Sequence, residues 1–250
     1  MRHSLSQFAA VFRVRNPSGL PYVLIGGQAV NFWAETYLPH EPALADWLPF
    51  TSEDIDFCGG CDDARRIADQ LGLHARLPPR VAMTALAGTV PFRIGDISTN
   101  IEVVRSVPGV PPGKLAAWSV TAERDGTAIR VLDPISLLAC KTDLALTVPQ
   151  DSRRDVEHLR ILMLCTRAFL RETLRGVTAG ELPVRGWLGA VERVLKLAES
   201  RRGRQAMRKL DLDWGTALPQ VEINACAEPR VARLRPGRLT EWRRKLAGGR

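Results

Sequence analysis

Apolar positions change period several times along this chain, and each change marks an expected element. Leu5, Phe8, Val11 and Phe12 recur at helical spacing within residues 4–14, and Asn16-Pro17-Ser18-Gly19 stops that segment. The continuous apolar run Tyr22-Val23-Leu24-Ile25 predicts a strand. Gly26-Gly27 breaks it, and the pattern after the break predicts a helix to about Tyr37. Pro39-His40-Glu41-Pro42 ends that helix, and a loop through Trp47 and Pro49 leads to a strand at Asp54–Phe57. Cys61-Asp62-Asp63 opens a further helix, with acids at its positive end and Gly72 closing it; Leu77-Pro78-Pro79 is loop. Residues 89–94 and 100–107 read as a hairpin across Gly95-Asp96. Residues 119–123 and 128–132 read as a second one around Arg124-Asp125-Gly126-Thr127.

The pattern changes at Asp133-Pro134, a capping residue followed by proline at the first helical position. Helices are expected over about 134–147, 152–175, 185–200 and 203–210. The last 35 residues read as irregular around Pro219, Pro229 and Pro236, with one short helix at 239–246. The fold class that follows is α+β: a mixed sheet with flanking helices over residues 1–132, then a mainly helical domain with a basic tail over 133–250.

Composition adds little to this picture. Hydrophobic residues make up 45% and charged residues 25%, as in ordinary globular proteins. No apolar run approaches the roughly 20 residues that span a bilayer, and no secretory signal opens the chain. Five cysteines do not suggest a disulfide framework. A cytoplasmic protein without membrane association is expected. Charge adds more. The chain carries a net +8, and residues 221–250 hold eight basic residues against three acids, net +5. Such a surface attracts polyanions, nucleic acid first among them, although an arginine-rich composition also serves solubility alone.

The candidate chemistry lies in Phe50-Thr51-Ser52-Glu53-Asp54-Ile55-Asp56-Phe57. Side chains two apart on a strand share a face, so Asp54 and Asp56 project together and repel unless a cation lies between them. Two carboxylates plus substrate phosphates are what Mg²⁺ takes, and a two-ion site normally needs a third carboxylate. Glu102, inside the apolar strand pattern Asn100-Ile101-Glu102-Val103-Val104, is the favoured third acid over Asp96, which sits in the turn. Gly26-Gly27 lets backbone N–H groups approach an anion at a positive helix end.

Other motifs are weaker. Cys58-Gly59-Gly60-Cys61 has C-x-x-C spacing, but no second pair or histidine cluster accompanies it, and it lacks the strand-to-helix context of a redox site early in a βαβ unit. His3, His40, His74 and His158 are scattered. No P-loop or Gly-x-Ser-x-Gly pattern occurs.

The order apolar strand, Gly26-Gly27, helix, then Thr51-x-x-Asp54-x-Asp56 resembles the nucleotidyltransferase fold of the DNA polymerase β superfamily. Within it, the chain resembles the small bacterial enzymes of the abortive-infection and toxin–antitoxin type. Lys141, on the helix after the sheet, and Arg154-Asp155, on the next one, match basic and acidic positions of that group. The resemblance covers about residues 20–165. It implies transfer of a nucleoside monophosphate from an NTP to an acceptor, RNA such as tRNA or a protein, with two Mg²⁺ ions and release of pyrophosphate. It assigns Asp54, Asp56 and Glu102 to metal and catalysis, and Gly26, Gly27, Thr51, Ser52 and Lys141 to the nucleotide. A neutralising antitoxin-type partner belongs to the same expectation. Gly27 stands where many relatives have serine, which leaves the phosphate to the backbone. The glutamate at 102 replaces the usual aspartate. A non-catalytic nucleic-acid or protein-binding module on a decayed transferase fold is the competing reading. An antibiotic-modifying transferase is a weaker third, because a cationic drug calls for an acidic pocket and this chain is basic.

Overall fold

Six strands, β1 (Val23–Ile25), β2 (Ile55–Cys58), β3 (Leu86–Ile94), β4 (Ile97–Val104), β5 (Ser119–Arg124) and β6 (Thr127–Leu132), form one mixed sheet. Its order is β3-β4-β2-β1-β6-β5 in the computed structural model, which describes residues 1–79 and 81–247. β1 pairs antiparallel with β2 and parallel with β6, and β2 runs parallel to β4. The two hairpins fall where the turn residues put them. Asp125 and Gly126 both take positive φ, at 51° and 70°, the conformation that a two-residue turn of the primed type demands. Every residue of β1 is buried, as its unbroken apolar run requires.

Helices α1 (Gly26–Tyr37) and α2 (Cys61–Gln70) accompany this sheet. Trp33 Nε1 donates to the Leu132 carbonyl at 2.8 Å and ties α1 to β6. α2 lies hard against β3, where a Cβ at Gly88 would come within 2.7 Å of the Ala64 methyl group.

The chain forms two compact units. One comprises Met1–Thr36 and Trp47–Cys140; the other joins Tyr37–Asp46 to the chain from Lys141 onward. Within the second unit, buried Glu41 receives both Arg167 Nε and Nη2, at 3.0 and 2.6 Å, and Tyr37 donates to Glu172 at 2.6 Å. The helices that follow the sheet are α3 (Pro134–Thr147), α4 (Asp155–Thr178), α5 (Val184–Glu199), α6 (Arg201–Leu210), α7 (Gln220–Ala225), α8 (Pro229–Ala232) and α9 (Thr240–Ala247). No helix among the described residues is long and apolar enough to cross a membrane.

Three expectations need correction. Residues 4–14 form two 3₁₀ turns, Leu5–Phe8 and Val11–Arg13, not one helix. The apolar spacing of three at Leu5, Phe8 and Val11 matches the 3₁₀ period, and so short a segment gains little from continuing as α. Asp54 lies in a bend just before β2, not inside it. The tail is largely helical, because its prolines start helices as well as stop them: Pro219 precedes α7, and Pro229 is the first residue of α8. Ile223, Val231 and Trp242 are all but fully buried there, as is Trp214 just before it, and they supply the apolar content that holds the short pieces together.

Lys141 and Asp155 make a buried pair in the second unit, Nζ to Oδ1 at 2.6 Å, with Arg153 Nε on the other carboxylate oxygen at 2.5 Å. Burial opposes ionisation of Asp155, but Lys141 and Arg153 outweigh it and hold the carboxyl down at about 2. A folded value below the ordinary one of about 3.9 means that the stabilisation is present above that ordinary value. It is lost as pH falls through about 2, and it is worth on the order of 2 kcal/mol. Urea unfolding should therefore show wild-type stability falling between about pH 4 and pH 2. Asp155→Asn should be less stable at pH 7 by about 3–5 kcal/mol, because Lys141 is left buried without its carboxylate, and should show a shallower acid dependence. An unchanged acid slope in the variant would refute this.

Candidate functional site

The sheet register assembles three carboxylates. Asp56 lies across from Ile25 on β1 and beside Glu102 on β4, its parallel partner. Asp54, two residues before Asp56, joins them from the bend. One oxygen from each of Asp54, Asp56 and Glu102 lies within 4.8 Å of the others, and all three residues are half-buried. Unit negative charges at that separation repel by roughly 3 kcal/mol per pair at an effective dielectric of about 20. An all-oxygen set of three carboxylates suits a hard divalent cation, which would remove that repulsion. Asp96 does not join the cluster. It remains in the exposed β3–β4 turn, 3.8 Å from Arg93. Glu53, flanking the pair, is exposed and lies 3.5 Å from Arg2.

Gly26 is tied to the cluster by shape. Its φ is +67°, and a Cβ built on it would lie 1.8 Å from Asp56 Oδ2. Glycine here serves both the backbone conformation and the room for the carboxylate. α1 begins at Gly26, so the N–H groups of its first turn, which have no partner within the helix, start beside Asp56, and Gly27 is buried directly behind. Ser52 is buried and bonds through its backbone to His3, with its Oγ 3.4 Å from Asp54 Oδ1; Thr51 is half-buried in the same loop.

Of the residues singled out in the sequence, the structure thus brings together Asp54, Asp56, Glu102, Gly26 and Ser52. Lys141 belongs to the second unit, where Asp155 engages it, and Arg154 pairs with Glu157 one turn along α4. Two residues close to the site were not singled out, both buried: Thr99 on β4, bonded to the Glu53 carbonyl in the loop that carries Asp54, and Gln28 on α1, bonded to the carbonyl of His3, which pairs with Ser52 in that loop. The signal for Gln28 was there to read, one of two amides, with Asn31, set among Ala29, Val30, Phe32, Trp33 and Ala34.

The C-x-x-C segment needs a correction. Cys58 ends β2 and Cys61 begins α2, so it does occupy a strand-to-helix junction. Both are free thiols; burial and the nearby Asp63 carboxylate push the Cys58 thiol up, and Arg105 donates to Cys61 Sγ at 3.3 Å. Asp63 also caps Gly60 N–H at 2.7 Å. Tyr22, buried beside it, is raised to about 12 by burial and by the same carboxylate.

No family model and no curated protein matches this chain. Two solved structures share parts of its course. One is the antibiotic-resistance factor ANT(2'')-Ia in solution, at 15% identity over 75% of this chain and 94% of that one, with a TM-score of 0.43. The other is an antigenic nucleotidyltransferase-like protein from Paracoccidioides brasiliensis, at 13% identity over 65% and 71% respectively, with a TM-score of 0.36. These likenesses are distant, and the functional argument rests on the geometry of the site itself.

That geometry yields a test without any substrate. In metal-free protein Asp56→Asn should raise the melting temperature, because it removes repulsion from the cluster. It should also abolish the further rise that millimolar Mn²⁺ produces in wild type. Gly26→Ala should lower stability by at least about 1 kcal/mol, since the methyl group displaces the Asp56 carboxylate. A Gly26→Ala protein as stable as wild type, with the same response to Mn²⁺, would refute the close approach.

Proposed function

We propose that this protein is an Mg²⁺-dependent nucleotidyltransferase of the DNA polymerase β type, moving a nucleoside monophosphate from an NTP to an acceptor. The observation that carries the reading is the convergence of Asp54, Asp56 and Glu102 beside a strand–Gly-Gly–helix turn whose first glycine leaves no space for a side chain. Each half alone is common. Together they set an acidic cluster beside the first-turn amides of the helix that follows β1, which supports this reading.

In this reading Asp54, Asp56 and Glu102 hold two Mg²⁺ ions, which supply charge neutralisation and polarisation at the reacting phosphate. The N–H groups of the Gly26-Gly27 turn orient the triphosphate at the positive end of α1. Thr51 and Ser52 border it. Glu102 takes the proton from the acceptor hydroxyl, whose oxygen forms a bond to the α-phosphorus as the bond to pyrophosphate breaks. Positioning and electrostatics then provide most of the rate, as in phosphoryl transfer generally.

Charge supports an RNA acceptor, with tRNA as one such substrate. The cations that bear on this are less those of the tail than those of α6. Arg238 is engaged by Glu192 and Glu199, and Lys245 by Glu241. On α6, Arg201, Arg202, Arg204, Arg208 and Lys209 are all exposed on a ten-residue helix without an acid, although Arg202 also pairs with Asp143 at 3.0 Å. A protein acceptor and a neutralising partner of antitoxin type remain part of the proposal through the family resemblance.

The test is incubation with Mg²⁺, each labelled NTP in turn, and total RNA, protein or small-molecule acceptors. Wild type should incorporate label and release pyrophosphate in equal amounts. Asp54→Asn and Asp56→Asn should each lower the rate by roughly 100-fold or more. Wild type inactive with all four NTPs would instead favour a non-catalytic binding module, and incorporation that survives Asp56→Asn would refute the role given to the carboxylate cluster.

A further inference from the structure

Asp54 differs from its two partners in how it is held. Asp56 and Glu102 sit inside strands, paired with each other in the β2–β4 ladder. Asp54 precedes β2, and the ladder starts one residue after it. Hydrogen bonds to the two peptide units just before Asp54 place it instead, one from β4 and one from the N-terminal segment at His3, which is itself anchored on α1.

The first arrives through His3. Ser52 and His3 exchange both backbone hydrogen bonds, at 2.7 and 2.9 Å, and the His3 carbonyl also accepts from Gln28 Nε2 at 3.0 Å. Gln28 is fully buried, and its amide cannot turn round without loss, because its Oε1 accepts from Asn31 Nδ2 at 3.1 Å. The second arrives from β4. Thr99 Oγ1 donates to the Glu53 carbonyl at 2.6 Å, and that carbonyl belongs to the peptide unit leading into Asp54. Thr99 is 6% exposed and lies three residues before Glu102, while Gln28 follows the Gly26-Gly27 turn.

These polar groups stand where apolar ones would pack. Gln28 and Asn31 lie on the helix face beside Ala29, Val30, Phe32 and Trp33, all buried, and a valine would fill the volume of Thr99. Burying an amide or a hydroxyl costs free energy unless it is bonded, and the bonds made here all serve the Asp54 loop or the residue that aims at it. Without them the Glu53 carbonyl loses its donor and the His3 strap that pairs with Ser52 loses its anchor on α1, while the carboxylates of the cluster push Asp54 outward.

We propose that Thr99 and Gln28 are positioning residues that hold Asp54 in place against its neighbours' charge, and so set the cation affinity of the cluster. The inference rests on reading Asp54, Asp56 and Glu102 as a cation site, and its test separates the two. Partners behind metal ligands typically change affinity 10–100-fold when removed.

The experiment is a titration of metal-free protein with Mn²⁺, free ion being followed by electron paramagnetic resonance, alongside melting curves without metal. Wild type should bind, and Thr99→Val should bind about 10–100-fold more weakly while its metal-free melting temperature stays close to that of wild type. Thr99→Ser, which restores the hydroxyl, should recover most of the affinity. Gln28→Met should weaken binding in the same way, and it decides the matter if Thr99→Val does not fold. Equal affinity in wild type and in these two variants overturns the positioning role while leaving the cation site standing. A Thr99→Ser protein as weak as Thr99→Val overturns it as well. Wild type that binds no more Mn²⁺ than Asp56→Asn removes the cation site, and the positioning role with it.

Discussion

Three carboxyl groups with oxygens within 4.8 Å of one another repel when ionised, and much of the sheet-bearing unit can be understood by how it tolerates them. The strand register forces Asp56 and Glu102 side by side, since neither can move without breaking pairing at the middle of a six-stranded sheet. The positive end of α1 adjoins them, and Gly26 gives the Asp56 carboxylate room. A fold that needed only stability would place apolar residues at these central positions. The acids stand where they are energetically costly, a cost that a bound cation would offset.

The remainder of the unit serves this arrangement. The apolar run of β1 supplies a buried central strand, and the tight strand-to-helix turn after it points α1 at the cluster. The β3–β4 hairpin brings Glu102 and Thr99 to opposite ends of one short stretch, one towards the carboxylates and the other holding the loop that carries Asp54. The second unit is built differently, from helices joined by buried ion pairs such as Lys141–Asp155 and Glu41–Arg167. Its exposed cations on α6 give it an electrostatic character opposite to that of the acidic cluster.

How much of this the sequence showed depends on the range of the interaction. Both hairpins, α1, α2 and the four long helices follow from local pattern and turn chemistry, and the structure has them within a few residues. Asp54 and Asp56 were legible because their spacing of two is itself a statement about one face of the chain. Glu102 was legible as a charge inside an apolar strand, although its pairing with Asp56 depends on a register between segments far apart. The helical tail was not legible, because its prolines read as breakers and its buried Ile223, Val231 and Trp242 have no period. Neither was the support given to Asp54, which depends on contacts between residues 3, 28, 52, 53 and 99. Lys141 shows the converse: a lysine on a helix of the right kind invites a functional role, while its burial against Asp155 depends on tertiary packing that periodicity does not reveal.

The central claim is that the three carboxylates form a cation site. The most direct measurement is a crystal structure of the protein grown with Mn²⁺ and a non-hydrolysable NTP, with anomalous scattering recorded at the manganese edge. The account predicts anomalous density bounded by Asp54, Asp56 and Glu102, with the triphosphate reaching towards the Gly26-Gly27 turn. Crystals with manganese elsewhere, or with none between these carboxylates, would contradict it.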